Sequence, residues 1–335
     1  MGSSSEQIPP PSAAFLRRFH TVAGRDGVLP FARFMELALY DQEVGYYRQN
    51  RPRVGRTPSA DFYTATSVGS LFGELIVAGC VALAGEKFCS ECAFVEIGAE
   101  PDGGILREVS HPFSESRTIQ VGEPIALSGQ CVVFSNELFD AQPCRRFVRR
   151  QSAWAELAVA CEADQLREIE IPLDTVPTYL TADAPEGYII DAPRAAADLL
   201  QEIVSQPWQG LLLACDYGKT WTEISTACPQ GTMRAYRNHQ QSNDLLAWPG
   251  EQDLTCHICW DWLQTRMLAT GFEAALVESQ ETFFVRHAAP LLETTMKSEA
   301  SRLSARKMAL MQLIHPAYLG QKFQVLHGIR GVKDI

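Results

Sequence analysis

Two carboxylates and an amide follow a short apolar run that is predicted to be a buried strand. The run covers residues 131–134, and Asn136, Glu137 and Asp140 come directly after it. In an open α/β sheet, ligands bind at the carboxyl ends of the strands. An amide and two carboxylates at such a strand end could bind a polar or cationic group. An ordinary strand end, with Asn136 or Asp140 capping the next helix, fits the same spacing.

A second apolar run, residues 211–215, ends in Asp216, Tyr217 and Gly218. It brings an acid, a phenol and a flexible turn to the same predicted edge of the sheet. The alternative from local sequence is a helix cap next to a core tyrosine. Asp216 and Tyr217 are therefore candidate site residues, with both interpretations open.

A glycine-rich turn follows the first strand of the series, at residues 93–97, and contains Gly98, Gly103 and Gly104. A strand, such a turn and then a helix form the pattern of nucleotide-cofactor sites, where glycines let the backbone approach the ligand. Glu123 lies close to the expected offset of an acid that takes ribose hydroxyls. Carboxylates within the turn make a poor phosphate cradle, so the turn favours a zwitterionic or sulfonium ligand over a dinucleotide.

Continuous apolar strands that alternate with helices and glycine turns predict an α/β fold with a mostly parallel sheet covered on both faces. The predicted strands of this sheet are residues 93–97, 118–121, 131–134, 211–215, 274–278 and 322–326. The predicted helices are residues 31–39, 70–84, 193–204, 260–269 and 291–313, and residues 15–22 form a short amphipathic segment.

Residues 145–150, 153–161 and 166–171 have strand composition and short polar turns between them, which predicts an antiparallel hairpin insertion at about 144–190. Residues 231–253 form a long polar loop without clear periodicity, and such loops are usually functional. The loop contains His239. The predicted organisation is a disordered tail at 1–14, a helical and cofactor-lid region at 15–92, and the α/β core at 93–335.

The formal net charge is −11, which argues against binding to nucleic acid or to anionic lipid. The amino terminus lacks the features of a signal or transit peptide, and no apolar run is long enough to span a bilayer, so we expect a cytoplasmic protein. Ten cysteines, many in apolar runs, resemble buried thiols rather than a disulfide framework. The two C-x-x-C pairs, at 89/92 and 256/259, are interpreted as coincidence, and no metal site is predicted.

The chain resembles the MidA-like family, S-adenosylmethionine-dependent methyltransferases related to a mitochondrial complex I assembly factor that methylates arginine. The matching motifs run in order from about Phe31 to Leu326 and are specific only together. They are F-x-x-F-M-x-x-A-L-Y-D-x-x-x-G-Y-Y, D-F-Y-T-A, F-G-E-L, V-E-I-G, N-E-L-F-D-A-x-P, D-Y-G, G-T-M-R-A-Y-R-x-H, P-G-E-Q-D-L-T-C-H and G-x-K-F-x-V-L.

The resemblance implies a Rossmann-like class I methyltransferase fold with S-adenosyl-L-methionine as cofactor. It implies a protein substrate, with an arginine-bearing or basic segment as the acceptor. On the cofactor side it implies a loop at 61–73, which contains Thr64 and Gly73 and closes over the cofactor, Glu96 and Gly98 beside the methionine part, and Glu123 at the ribose. Further candidates for cofactor binding are Gly103, Gly104 and Asn136. Those implied at the transfer site are Asn136, Glu137 and Asp140. Asp216 is a further candidate there, and on chemical grounds Tyr217 and His239 are candidates to assist proton release.

Two interpretations of the function follow. In the first, the chain is an active protein methyltransferase that acts on arginine. In the second, it keeps the fold and an acidic cleft but acts as a binding or assembly factor. The second rests on departures from the family pattern, which carries a cleaner G-x-G-x-G turn and D-F-x-T-A-P-E-x-S where this chain has GAEPDGG and DFYTATSVG. An absence of cofactor binding would rule out the first interpretation.

Overall fold

The computed structural model describes residues 10–49, 69–101, 103–151, 153–181, 183–299 and 304–332. The chain forms two compact units, each built from three stretches of sequence. The first unit takes residues 1–62, 141–195 and 219–257, and the second takes residues 63–140, 196–218 and 258–335. The division into contiguous regions at residue 92 stays a prediction.

The α-helices of the described residues are named here in chain order. They are Ala13–Ala23 (α1), Phe31–Tyr40 (α2), Ser70–Ala84 (α3), Glu86–Glu91 (α4), Arg194–Val204 (α5), Trp221–Ala227 (α6), Trp260–Ala269 (α7), Gln280–His287 (α8), Ala289–Ser298 (α9), Ala305–Ile314 (α10) and Leu319–Lys322 (α11). Among the described residues, each helix is too short or too polar to cross a membrane.

The strands are named in the same way. They are Val28–Pro30 (β1), Ala93–Ile97 (β2), Glu115–Ile119 (β3), Gly129–Asn136 (β4), Arg145–Arg150 (β5), Ala153–Glu162 (β6), Gln165–Pro172 (β7), Ile189–Ala192 (β8), Trp208–Asp216 (β9), Gly218–Lys219 (β10), Arg234–Arg237 (β11), Gln240–Ser242 (β12), Asp253–Thr255 (β13), Ile258–Cys259 (β14), Leu276–Ser279 (β15) and Gln324–Arg330 (β16).

The second unit contains a six-stranded sheet in the order β15-β16-β9-β4-β2-β3. Strands β3, β2, β4 and β9 run parallel, whereas β16 is antiparallel to both β9 and β15. The sheet is therefore mostly parallel, as the apolar runs predicted. Parallel strands place their carboxyl ends at one edge, which brings the ends of β2, β4 and β9 side by side.

Alternate residues along these strands point into two different cores, which explains why the strands are apolar throughout. Val132 and Phe134 pack in one core with residues of α3, α8 and α10. Val133 packs in the other core with residues of α5 and α7. Both faces of the sheet are thus covered by helices, which leaves the strand ends accessible to a ligand.

The first unit contains an antiparallel sheet in the order β1-β6-β5-β8, and β7 also pairs with β6, along residues 155–162. The three strands predicted within 145–171 are all present, with bounds that differ by at most one residue. Helices α1 and α2 supply most of the aromatic residues of this unit's core, among them Phe15, Phe19 and Phe34. A smaller sheet has the order β12-β11-β13.

Two predictions of local structure were wrong. The polar stretch at 231–253 was predicted as a loop, but it contains β11 and β12, which pair as a hairpin that β13 extends. Backbone hydrogen bonds between the strands stabilise this hairpin. Because the strands need no apolar face, the sequence shows no alternation of apolar and polar residues. The single helix predicted at 291–313 is two helices, because α9 ends at Ser298 and Ser304 caps α10 by accepting a hydrogen bond from the backbone N–H of Lys307.

Candidate functional site

Three strand ends of the second unit lie next to one another at the carboxyl edge of the sheet. In the register of β2 and β4, Ile97 pairs with Ser135. In the register of β4 and β9, Asn136 pairs with Cys215. The glycine-rich turn after β2, the acidic turn after β4 and Asp216 at the end of β9 are therefore neighbours.

The acidic turn after β4 has a backbone that only tertiary contacts can hold. Glu137 has a φ of 50°, in the left-handed region that residues other than glycine rarely adopt. Its backbone N–H donates to the Cys215 carbonyl at 2.9 Å. The Asn136 Nδ2 atom donates to Glu137 Oε1 at 3.0 Å. This conformation turns the chain sharply and presents Asn136 and Glu137 as half-buried side chains.

Asn136 also carries a buried acceptor. Its Oδ1 atom is buried and accepts no hydrogen bond from any described residue. An amide oxygen buried in this way costs free energy, of the order of 1–3 kcal/mol, unless a ligand or water donates to it. A donor group from a bound ligand fits at this position.

The buried carboxyl group of Asp216 holds the acidic turn through hydrogen bonds to its backbone. It is 0% exposed, and its Oδ2 atom accepts the backbone N–H groups of Phe139 at 3.0 Å and Asp140 at 3.3 Å. Its Oδ1 atom accepts the backbone N–H of Tyr217 at 2.8 Å. Burial raises the pKa of the Asp216 carboxyl well above its ordinary value, and the carboxyl of Asp140 raises this pKa further. Asp216 therefore fixes the turn through the backbone.

The glycine-rich turn after β2 is organised by Glu96, which is itself on the strand. The Oε2 atom of Glu96 accepts the backbone N–H of Ile105 at 2.8 Å. A Cβ on Gly104 would lie 2.2 Å from the same oxygen, so only glycine fits there. Burial raises the pKa of Glu96 to about 7, against the lowering effect of the Ile105 hydrogen bond. Gly98, with a φ of 83°, and Gly103, with a φ of 120°, complete the bend.

The glycine-rich turn and the acidic turn are in contact. A Cβ on Gly98 would lie 3.0 Å from Leu138 Cδ1, so the absence of a side chain at Gly98 lets the two turns approach. Residues on either turn therefore face the same space at the edge of the sheet.

Gly73 lies on α3, where it packs against the end of the glycine-rich turn. A Cβ on Gly73 would lie 2.3 Å from the Ile105 carbonyl oxygen and 2.9 Å from Val109 Cγ2. The glycine allows α3 to touch the backbone at Ile105. A contact between Gly73 and a cofactor stays a prediction.

Glu123 lies beyond the end of β3 and is exposed. Its Oε2 atom accepts the backbone N–H of Gln120 at 2.7 Å, so the carboxylate holds its own turn. This geometry keeps the acid at the edge of the sheet, where the resemblance places the ribose. The ribose contact stays a prediction.

The remaining predicted site residues lie in different parts of the chain. Tyr217 is half-buried, and its ring packs edge-on against Phe323 with the centroids 5.6 Å apart. His239 belongs to the first unit, where it is exposed in the connection between β11 and β12. Thr64, like the rest of residues 61–68 of the predicted cofactor loop, lies outside the described residues.

Some of the groups that build the site were missed by the sequence analysis. The backbone N–H groups of Ile105, Phe139 and Asp140 are the partners of the two buried carboxylates. Backbone donors have no signature in the residue types around them. The signal that was available is indirect: a carboxylate that interrupts an apolar strand must find donors when it is buried.

Comparison with known proteins places the chain in a family. The profile of a family described as S-adenosyl-L-methionine-dependent methyltransferases matches residues 110–277, or 168 of the 335 residues. A curated relative, the mitochondrial protein arginine methyltransferase NDUFAF7 of Danio rerio, is 22% identical over 363 residues, which cover 89% of this chain and 82% of that protein.

Two crystal structures of Burkholderia thailandensis proteins have the same fold. One protein is bound to S-adenosyl-homocysteine, is 23% identical, and superimposes with a TM-score of 0.84 over 98% of this chain and 96% of that chain. The other, an uncharacterized protein in its native form, is 21% identical with a TM-score of 0.77 and the same coverage. The cofactor of the chain is S-adenosyl-L-methionine. The chain belongs to the family of S-adenosyl-L-methionine-dependent methyltransferases.

Proposed function

We propose that the chain transfers the methyl group of S-adenosyl-L-methionine to an arginine side chain of a protein. The observation that carries this proposal is the acidic turn at 136–140, with Glu137 held at its surface and Asp216 fixed beneath it by three backbone N–H groups. The name of the Danio rerio relative, a protein arginine methyltransferase, supports the same substrate class.

The cofactor fits the residues that surround the two turns. The buried Oδ1 atom of Asn136 accepts no hydrogen bond from the described residues, and the ammonium group of the cofactor is a donor. The glycines at 98, 103 and 104 let side chains of Leu138, Arg107 and Glu96 pack against the backbone of the turn, which keeps the turn bent beside the acidic turn. We assign Asn136 and the glycine-rich turn to cofactor binding, together with Glu123 for the ribose and Thr64 and Gly73 from the predicted loop. When bound, the cofactor supplies an electrophilic methyl group on a positively charged sulfur.

The acidic turn suits a guanidinium. Arginine is protonated at any ordinary pH because its pKa exceeds about 12, and a carboxylate can bind the guanidinium through two parallel hydrogen bonds. In this proposal Glu137 orients one guanidinium nitrogen toward the methyl group and Asp140 adds negative charge nearby. Positioning and electrostatic stabilisation then supply most of the rate enhancement.

Methylation of a guanidinium releases one proton as the new N–C bond forms. A carboxylate within hydrogen-bond distance of the reacting nitrogen is the simplest acceptor, so we assign that role to Glu137. For Tyr217 and His239, the proposal that they assist proton release rests on the chemistry of their side chains alone.

The proposal is tested by the chemistry of the product. The full chain is incubated with S-adenosyl-L-methionine that carries a labelled methyl group and with a protein extract, after which the proteins are hydrolysed to amino acids. We expect the label in methylated arginine, and we expect it to be lost with Glu137→Gln. Label in another amino acid would contradict the acceptor. Tight binding of S-adenosylhomocysteine with no transfer to any protein would favour a binding or assembly role.

A further inference from the structure

Three side chains outside the acidic site converge on one point of the second unit. The Nε2 atom of His287 lies 3.1 Å from Glu278 Oε2, and the Nε2 atom of His327 also lies 3.1 Å from that oxygen. The candidate ligand atoms of the three residues lie within 4.8 Å of one another. Their side chains are mostly buried, with exposed fractions of 8% for Glu278, 17% for His287 and 4% for His327.

The fold brings the three residues together from distant parts of the sequence. Glu278 is on β15 and His327 is on the neighbouring strand β16, where the register pairs Glu278 with Val325 and Leu276 with His327. Glu278 and His327 are therefore diagonal neighbours on the same face of the sheet. His287 is the last residue of α8, the helix that follows β15.

The two imidazole rings are also held by a shared packing partner. The Phe283 ring lies 5.0 Å from the His287 ring and 5.5 Å from the His327 ring, centroid to centroid. Because Phe283 is fully buried, it limits the rotation of both rings. Donor atoms that are held in place in this way bind an ion more tightly than donor atoms on mobile side chains.

Two imidazoles and one carboxylate are the protein ligands of many three-residue zinc sites, with water in the fourth position. If an ion lies about 2.0–2.1 Å from each of two donor atoms that are 3.1 Å apart, the angle between its two bonds is about 100°. For these two oxygen–nitrogen pairs the angle is close to the tetrahedral value. Metal binding would replace the two N–H···O hydrogen bonds, and each neutral imidazole would carry its proton on Nδ1.

The directions in which the pKa values of His327 and Glu278 are shifted agree with this chemistry. Burial lowers the pKa of His327 below its ordinary value, although the hydrogen bond with Glu278 opposes this. Burial tends to raise the pKa of Glu278, but the hydrogen bonds from His327 and His287 and the charge of Arg286 outweigh it, and the pKa is lowered. A neutral imidazole and an ionised carboxylate are the forms that ligate metals.

Arg286 is the one cation that contacts the cluster among the described residues, and it pairs with the other carboxylate oxygen, Oε1. Its side chain is mostly exposed, so solvent screens its charge. Glu278 Oε2, the oxygen that both histidines face, remains available to an ion. In the described parts of the chain, no other group of three His, Cys, Asp or Glu side chains converges in this way.

We propose that Glu278, His287 and His327 form a binding site for a divalent transition-metal ion, for which zinc is the best fit. The ion would join β15, β16 and the end of α8. Strands β16 and β9 lie between β15 and β4, the strand that the acidic turn follows, so we assign the ion a role in stabilising this edge of the second unit rather than in methyl transfer.

The test uses the full-length chain, freed of metal, and titrates it with Co²⁺ as a spectroscopic substitute for zinc and with Zn²⁺ in a calorimeter. We expect one ion per chain, visible absorption bands of a tetrahedral cobalt site without the near-ultraviolet band of cobalt–thiolate charge transfer, and a rise in Tm with Zn²⁺. His287→Ala and Glu278→Gln should each weaken Co²⁺ binding by at least about tenfold.

His315→Ala is the matched control, since His315 is exposed and outside the cluster; it should leave Co²⁺ binding unchanged. Far-UV circular dichroism of each variant without metal shows whether it is folded, and His287→Ala is the informative variant because His287 is the most exposed of the three residues. Absence of Co²⁺ binding, unchanged binding in a folded His287→Ala variant, or a cobalt–thiolate band would each overturn the proposal.

Discussion

The Oδ2 atom of Asp216 accepts a hydrogen bond from the backbone N–H of Phe139 at 3.0 Å. This contact joins the end of β9 to the acidic turn that follows β4, although the two residues are 77 positions apart in the chain. The turn that presents Glu137 therefore depends on a carboxyl group that has no exposed surface. Changes at Asp216 should act on the site through the position of this turn.

We expect Asp216→Asn to lower the rate of methyl transfer by about 100-fold, because a displacement of the order of 1 Å is enough for a loss of that size. Both carboxyl oxygens of Asp216 accept N–H groups, and an amide would turn one NH₂ group toward a donor. The free energy of unfolding should fall by about 1–3 kcal/mol. Denaturant unfolding and the transfer assay measure the two effects. Asp198→Asn, which removes only an exposed ion pair with Arg266, should change neither.

Glu137→Gln should abolish methyl transfer while it leaves the Kd for S-adenosylhomocysteine unchanged. The neutral amide keeps the size of the side chain but cannot pair with a guanidinium or accept its proton. Calorimetry measures the Kd, and transfer of labelled methyl groups measures the activity. The exposed Glu115 on β3 offers the matched control, Glu115→Gln. Full turnover in the Glu137→Gln variant would remove Glu137 from the mechanism.

Glu96 should make the stability of the protein depend on pH between about 4.5 and 7. Since burial raises the pKa of Glu96 to about 7 in the folded state, the folded chain binds more protons than the unfolded chain in that range, and the free energy of unfolding falls as the pH rises. The contribution reaches about 3 kcal/mol at most, from about 1.4 kcal/mol per pKa unit.

The measurement is denaturant unfolding of the wild type and of Glu96→Gln at a series of pH values. The variant still has an oxygen that can accept the Ile105 N–H, so the difference between the two proteins isolates the titration. We expect the free energy of unfolding of the variant to rise relative to that of the wild type from pH 5 to pH 7. Above about pH 8 the difference between the two free energies should be constant. Glu91→Gln, at an exposed position of α4, should follow the wild type. A difference that does not change with pH would contradict the raised pKa.

Gly73→Ala should weaken cofactor binding even though residue 73 lies on a helix. The added Cβ would lie 2.3 Å from a backbone oxygen of Ile105, so either α3 or the glycine-rich turn must move. We expect a loss of about 1–3 kcal/mol in the free energy of unfolding and a higher Kd for S-adenosylhomocysteine.

The control for Gly73→Ala is Ala82→Gly, at an exposed position of the same helix. It should lower the free energy of unfolding by about 1 kcal/mol through helix propensity and leave the Kd unchanged. Equal effects of the two variants on the Kd would mean that the contact with Ile105 does not matter for binding.

Most of the secondary structure could be predicted from the sequence because it follows from local patterns. The apolar runs of β2, β4 and β9 and the helices α3 and α7 were predicted with bounds that agree within a few residues. The β11–β12 hairpin was missed because its strands are polar and short, and the break between α9 and α10 was missed because it depends on a serine cap rather than on glycine or proline.

The sequence by itself determined that strand ends carry Glu96, Asn136, Glu137 and Asp216, and that these motifs belong to a methyltransferase family. It could not assign their separate tasks. Only the tertiary structure decided that Glu96 and Asp216 hold backbone turns, that Glu137 lies at the surface of one of them, and that Glu278 meets two histidines. The physical reason is that side-chain periodicity reports which residues are buried, whereas the partner of a buried polar group is set by the register and crossing of elements far apart in the chain.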